Sequence, residues 1–144
     1  MLERAWIAAH VPHHGAMCLL DRVDRWDATQ ILCIATSHRD ATNPLRAHGR
    51  LGAACGIEYA AQAMAVHGAL CASSDPSAAT RPGMLASARG VTVAVDRLDD
   101  IAADLTIVAT RQAADTRAIA YAFEVLAGDR VLLVGRATVM LGAA

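Results

Sequence analysis

Apolar and polar positions divide this chain into one long apolar segment and several shorter runs of strand length. The apolar segment extends from Leu51 to Leu70 and contains a single acidic residue, Glu58. Its length and high alanine content predict a helix from about Gly52 to Cys71 rather than a strand. A carboxylate that is buried without a partner is strongly destabilising, so Glu58 is expected to be paired, neutralised or used chemically.

Shorter apolar runs predict strands on both sides of this helix. A short helix is predicted at residues 2–9, followed by a break at Pro12 and Gly15. Gly90 marks an expected bulge, and Gly128–Asp129 fits a two-residue type II′ hairpin turn. The strand candidates are residues 17–26, 30–36, 84–95, 105–110, 117–126 and 130–141. This order predicts an α+β fold with one antiparallel sheet of about six strands around one long helix.

Length and charge limit the classes of protein to which the chain can belong. The 144 residues suit one domain, residues 1–144, and 55% of them are apolar,. A net charge of −1 gives no basic field for nucleic acid or anionic lipid, so neither partner is expected,. The composition predicts a folded protein with a substantial core.

Three further features predict a cytoplasmic protein without a membrane span. The N-terminal segment MLERAWIAAH lacks the basic and apolar regions of a signal peptide,. Residues 51–72 reach the length of a membrane helix, but Glu58, Gln62 and His67 interrupt them,. The four cysteines form no CxxC pair, which favours buried, reduced thiols,.

Three segments resemble dehydratases that act on 3-hydroxyacyl thioesters of the acyl carrier protein. Residues 12–23 (PHHGAMCLLDRV) resemble the PHRxPFLLVDRV opening of FabZ-type enzymes. Residues 56–62 (GIEYAAQ) resemble the EAMAQ motif of FabZ-type and the GLDAMWQ motif of FabA-type enzymes, in which an acid precedes a glutamine by four residues. Residues 128–140 resemble the closing hairpin of the same fold.

The ordered set of matches identifies the chain as similar to hotdog-fold dehydratases, and most similar to the ApeP-like dehydratases of aryl polyene gene clusters. This resemblance implies a hotdog fold and the formation of trans-2-enoyl thioesters in fatty acid or aryl polyene biosynthesis. It also implies an acyl carrier protein as partner and a homodimer or heterodimer with another hotdog dehydratase. No metal and no dissociable cofactor are expected.

Dehydration needs a base for the proton next to the thioester carbonyl and an acid for the departing hydroxyl. Imidazole suits the first role, and a carboxyl in an apolar setting suits the second. Glu58 is the predicted acid, and His48, next to Gly49, is the counterpart of the family's catalytic histidine. Ten residues separate His48 from Glu58, against fourteen in the family motif, which leaves His38 as the alternative base.

Gly56 and Gln62 are the predicted substrate-binding residues. Gly56 lies at the expected helix start, where backbone N–H groups from Leu51 onwards are suited to stabilise an enolate oxygen. Gln62 shares a helix face with Glu58 and is expected either to position it or to form a hydrogen bond in the core. His67 is expected to be a core or interface histidine. The residues His10, His13 and His14 lack an acid or cysteine at ligand spacing, so no zinc site is predicted.

Other functions remain open from the sequence. The shortened loop before the helix favours a non-catalytic subunit that pairs with an active hotdog partner. The same fold is used by thioesterases, in which a helix-borne acid activates water, and fold alone does not separate these activities. A stand-alone module that binds an acyl group or a carrier protein is a fourth hypothesis.

Overall fold

One long helix and seven strands form the part of the chain that the computed structural model describes, residues 1–11, 15–74 and 83–142. Short 3₁₀ turns lie at Gly15–Met17, Ser37–Arg39 and Ala53–Cys55. The helices and strands, in chain order, are β1 (Leu2–Glu3), α1 (Arg4–His10), β2 (Arg22–Trp26), β3 (Gln30–Ala35), α2 (Gly56–Ser73), β4 (Gly83–Val93), β5 (Leu105–Ala114), β6 (Ala118–Ala127) and β7 (Arg130–Leu141).

These strands form one antiparallel sheet in the order β1-β2-β3-β5-β6-β7-β4. The strand that follows α2 in sequence, β4, therefore lies at an edge of the sheet, next to the last strand. Gly128 has a φ of +59° between the paired residues Ala127 and Arg130, as a type II′ turn requires,. The bulge predicted at Gly90 is also confirmed, because the pairing of β4 with β7 shifts register there and Gly90 has a φ of +61°,.

The core lies between α2 and one face of the sheet. Buried and less buried residues alternate along β5 and β6, so one face of each strand is turned towards the core,. The buried side chains of α2 recur at helical spacing and include Tyr59, Ala63, Val66 and Leu70,. This confirms the predicted α+β architecture. The sheet has seven strands rather than about six because Leu2–Glu3 adds a short edge strand to β2.

Two of the predicted boundaries differ from the structure because the residues concerned hydrogen-bond to segments distant in sequence. The helix begins at Gly56 rather than near Gly52, because the backbones of Leu51 and Ala53 hydrogen-bond to Leu98 and Asp96, and residues 53–55 form a 3₁₀ turn. The strand predicted at residues 17–26 is regular only from Arg22. The preceding apolar residues form a 3₁₀ turn and a segment that bonds to α2.

Other sequence predictions can be compared with the residues that the structure describes. Within the described part of the chain, no helix is long and apolar enough to cross a membrane. All four cysteines are free thiols, and Cys18 and Cys33 are buried. The break predicted at Pro12 lies outside the described residues, as do His13 and His14.

Candidate active site

Glu58 lies in the first turn of α2 and lines a groove of about 250 Å³ between this helix and the edge of the sheet. The other residues of the groove are apolar or glycine: Ala61, Ala65, Gly83, Met84, Leu85 and Val139. Ala61 and Ala65 follow Glu58 by three and seven residues, so the three lie on one face of the helix. The groove therefore combines an apolar wall with one carboxylate.

The Glu58 carboxylate is half-buried and available for a ligand. Among the described residues, no hydrogen bond or ion pair joins it to another side chain. Its place in the first turn of an eighteen-residue helix is favourable for a negative charge, because the helix dipole is positive at this end,. The structure thus holds the predicted acid at the groove without tying it to a structural role.

His48 lies at the tip of a tight turn that precedes α2. The backbone of Ala47 and Arg50 forms two hydrogen bonds, of 2.9 and 3.1 Å, and His48 and Gly49 between them have φ values of +54° and +76°. Positive φ at both central positions is the signature of a type I′ turn, and histidine is one of the residues that tolerates it. His48 is exposed, and no hydrogen bond or ion pair joins it to Glu58 within this single chain.

The alternative base, His38, is enclosed within the chain. Its side chain is fully buried, and its Nε2 donates to the carbonyl oxygens of Ile101 and Ala103, both at 3.0 Å. Its Nδ1 is buried without a partner, and burial lowers the pKa of this imidazole. A substrate carbon has no open path to this ring.

Gln62 is fully buried and bonds to the backbone of the segment that precedes β2. Its Oε1 accepts a hydrogen bond from the N–H of Leu19 at 2.9 Å, and its Nε2 donates to the carbonyl of Met17 at 2.6 Å. Of the two roles that the sequence left open, the structure therefore shows the core hydrogen bond. A direct role in binding substrate stays a prediction.

Gly56 lies at the start of α2, against the last strand. A Cβ at this position would come within 2.8 Å of Leu133 Cδ1, so a larger residue here would require the Leu133 side chain to shift. Its N–H donates to the preceding 3₁₀ turn, at the carbonyl of Ala53. The contact of Gly56 with substrate likewise stays a prediction.

The other backbone N–H groups at this helix start are also partly engaged. Those of Leu51, Ala53 and Cys55 donate to Asp99, Asp96 and Gly52. Gly52 and Ala54 therefore remain as candidate donors to a substrate oxygen in residues 51–56.

His67 is a buried core histidine at the other end of α2. Its Nδ1 lies 2.7 Å from the Tyr121 hydroxyl and its Nε2 lies 2.8 Å from the carbonyl oxygen of Asp27. The carbonyl accepts, so Nε2 carries the hydrogen and Nδ1 accepts from Tyr121. Burial lowers the pKa of His67 and favours this neutral form,.

The sequence analysis did not identify a second set of polar residues next to the site, formed by Ser37, Asn43 and Tyr59. Their side chains hydrogen-bond to one another on the buried side of α2. A tyrosine in an alanine-rich helix was the available signal, because a buried tyrosine hydroxyl usually has a partner.

The fold and the groove correspond to the hotdog class, and comparisons with known proteins support this. The chain matches a chain of the dehydratase heterocomplex ApeI:P from Xenorhabdus doucetiae with a TM-score of 0.84 and 24% identity, over 95% of this chain and 91% of that one. It also matches a mutant thioesterase PA1618 from Pseudomonas aeruginosa, with a TM-score of 0.61 and 12% identity over 83% and 79% of the two chains. Thioesterase HI1161 from Haemophilus influenzae matches with a TM-score of 0.62 and 11% identity over 84% and 77%.

A family model identifies the chain more specifically than the hotdog fold does. The model of the ApeP-like family, described as ApeP dehydratase, matches residues 5–143. The chain therefore belongs to the ApeP-like dehydratase family, as the sequence motifs predicted. No protein among the curated sequences matches the chain significantly.

Proposed function

We propose that this chain dehydrates 3-hydroxyacyl thioesters of an acyl carrier protein to trans-2-enoyl thioesters, in fatty acid or aryl polyene biosynthesis. The observation that carries the proposal is the Glu58 carboxylate, which has no hydrogen-bond or ion-pair partner among the described residues and lines a groove whose other described residues are apolar or glycine. The apolar wall suits an acyl chain, and the carboxyl suits the hydroxyl that must leave. Membership of the ApeP-like family supports the reaction type.

In the proposed reaction a histidine removes a proton from C2, and the electron pair of that C–H bond forms the C2=C3 double bond. The C3–O bond breaks, and Glu58 gives its proton to the departing oxygen, which leaves as water. The thioester oxygen carries negative charge during this step. The N–H groups of Gly52 and Ala54, at the start of α2, are the proposed donors to that oxygen. Proton exchange with solvent then restores both side chains.

His48 is the proposed base, and it is proposed to act on the groove of a second chain. Its exposed position at the tip of a tight turn supports a role outside its own chain. The enclosed position of His38 weighs against the alternative. A site completed by two chains also explains why no hydrogen bond or ion pair joins His48 to Glu58 in one chain.

The second chain is proposed to join at β4. This strand of eleven residues is mostly exposed and lies at an edge of the sheet, where unpaired backbone groups favour the addition of another strand,. It also forms one wall of the Glu58 groove through Gly83, Met84 and Leu85. A dimer at this edge places a second chain next to the groove.

Mixing two inactive variants tests this proposal. His48→Ala and Glu58→Gln are each expected to lower enoyl formation from a 3-hydroxyacyl carrier protein by about 10²–10⁴-fold, to a small residual rate. Refolded together as mixed dimers, they are expected to recover roughly a quarter of wild-type activity, because random pairing gives half mixed dimers with one intact site of two. If the variants are inactive alone and the mixture stays inactive, histidine and acid do not come from different chains.

A second candidate is a dehydratase-like subunit that needs a different hotdog chain for activity. The separation of His48 from Glu58 within this chain favours it, as does the structural similarity to a dehydratase from a heterocomplex. Under this hypothesis the purified chain forms no enoyl product until the second protein is added. A thioesterase, the activity named for two of the structural neighbours, would instead release free acid from the same substrate.

A further inference from the structure

A chain of buried hydrogen bonds joins α2 to the loop that carries His48. Tyr59 follows Glu58 in sequence, but its side chain is fully buried on the core side of the helix. Its hydroxyl lies 3.1 Å from Asn43 Nδ2 and 2.8 Å from Ser37 Oγ. Ser37 Oγ in turn donates to the carbonyl oxygen of Leu19 at 2.7 Å.

The direction of each hydrogen bond in this network follows from the number of hydrogens available. The single hydroxyl hydrogen of Ser37 is used by the Leu19 carbonyl, which only accepts. Ser37 Oγ must therefore accept from the Tyr59 hydroxyl, and Tyr59 must accept from the Asn43 amide. Burial raises the pKa of Tyr59, so the phenol stays protonated and keeps its donor. Every member of the network thus has one arrangement.

Asn43 is the residue at which this network meets the His48 loop. Its Oδ1 accepts from the N–H of Leu45 at 2.9 Å, and its own carbonyl accepts from the N–H of Arg46 at 3.1 Å. The same Nδ2 that bonds Tyr59 also donates to the carbonyl of Ser37 at 2.9 Å. The Asn43 side chain is 6% exposed, so water does not readily replace these bonds,.

The far end of the loop is held separately. The N–H of Leu51 donates to Asp99 Oδ1 at 2.9 Å, and Ala53 bonds to the backbone of Asp96. Between Asn43 and Leu51, the turn of His48 and Gly49 projects into solvent. The loop is therefore held at both ends, and only at the first end does a side chain of the helix that carries Glu58, Tyr59, take part.

We propose that Tyr59 is a positioning residue, which holds Asn43 and so sets the place of the His48 loop relative to the helix bearing Glu58. This inference rests on the proposed function, in which His48 is the base. Because phenylalanine would fill almost the same volume, the hydroxyl is the part of Tyr59 that carries the role. A displacement of about 1 Å at a reacting group is enough to lower a rate by roughly a hundredfold.

The test combines Tyr59→Phe with His48→Ala, in whichever assembly is active, with the enzyme saturated by 3-hydroxyacyl carrier protein. Tyr59→Phe alone is expected to lower kcat by about tenfold to a hundredfold while KM stays within about twofold. In the His48→Ala background the same change is expected to lower kcat no further. A residue that only stabilises the fold would not show this dependence on His48.

Tyr121→Phe is the matched control. Tyr121 is equally buried and its hydroxyl is also hydrogen-bonded, but to His67 at the other end of α2. It is expected to leave kcat within about twofold of the wild type. An unchanged kcat in Tyr59→Phe, or an equal loss in both backgrounds, overturns the positioning role. Full activity of His48→Ala instead overturns the base of the proposed function.

Hydrogen exchange tests, without an activity assay, whether Tyr59 holds the loop through Asn43. In Tyr59→Phe the amides of Leu45 and Arg46, which bond to Asn43, are expected to exchange at least tenfold faster than in the wild type. In Tyr121→Phe their exchange is expected to be unchanged. If Tyr59→Phe leaves both amides as protected as before, Tyr59 does not hold the loop.

Discussion

Replacement of Gln62 by leucine separates a structural role from a role in binding substrate. Leucine is similar in size, so the change removes two hydrogen bonds without opening a large cavity. The N–H of Leu19 and the carbonyl of Met17 are left buried beside α2 without their partner. Each unsatisfied buried group costs about 1–3 kcal/mol, so the expected loss is about 2–6 kcal/mol of unfolding free energy.

This loss is a large fraction of the unfolding free energy of a typical domain, which is about 5–15 kcal/mol. Urea denaturation followed by circular dichroism measures this loss, and in thermal denaturation the Tm is expected to fall by roughly 4–24 °C. Gln30→Leu is the control, because Gln30 is only half-buried and its amide bonds a single side chain, Thr110, at 3.0 Å. It is expected to cost less than about 1 kcal/mol.

The opposite pattern would refute the reasoning. If Gln62→Leu unfolds at the same urea concentration as the wild type but loses dehydration activity, Gln62 acts on substrate. A stability loss no greater than that of Gln30→Leu would also show that the two backbone groups find other partners.

Three further predictions concern the groove and the helix start. Glu58→Gln is expected to lower dehydration by about 10²–10⁴-fold with an unchanged urea midpoint, and activity above a tenth of wild type would exclude it as proton donor. Ala65→Phe is expected to block long acyl chains and spare short ones, because Ala65 lies about 10 Å along the helix from Glu58. Steady-state kinetics with substrates of increasing acyl length measure this effect. An equal loss of activity at all lengths would contradict it. The Arg97 guanidinium, and to a lesser extent the N–H of Leu51, holds the pKa of Asp99 below its usual range. Asp99 therefore contributes stability to the fold that is complete above about pH 4 and is lost as the pH falls. Urea midpoints of wild type and Asp99→Asn are therefore expected to differ at neutral pH and converge in acid, and a constant difference would argue against this linkage.

The amino-acid sequence was sufficient to predict most of the secondary structure and the location of the acid. The apolar run that forms α2 is long and rich in alanine, and residues of the later strands alternate between core and surface. Local sequence patterns were therefore enough to predict both the helix and these strands,. Gly90 and Gly128 marked a bulge and a turn because these positions need a positive φ,. Glu58 was recognisable because an isolated acid in an apolar helix requires an explanation.

Only the tertiary structure decided which groups meet. The partners of Gln62 lie more than forty residues away in sequence, at Met17 and Leu19, and no local pattern identifies them. The start of α2 was predicted too early for the same reason, because the residues that precede the helix, Leu51 and Ala53, hydrogen-bond to residues 96–99. Local sequence determines which conformation a segment prefers, whereas hydrogen bonds between distant segments depend on how the sheet and helix pack.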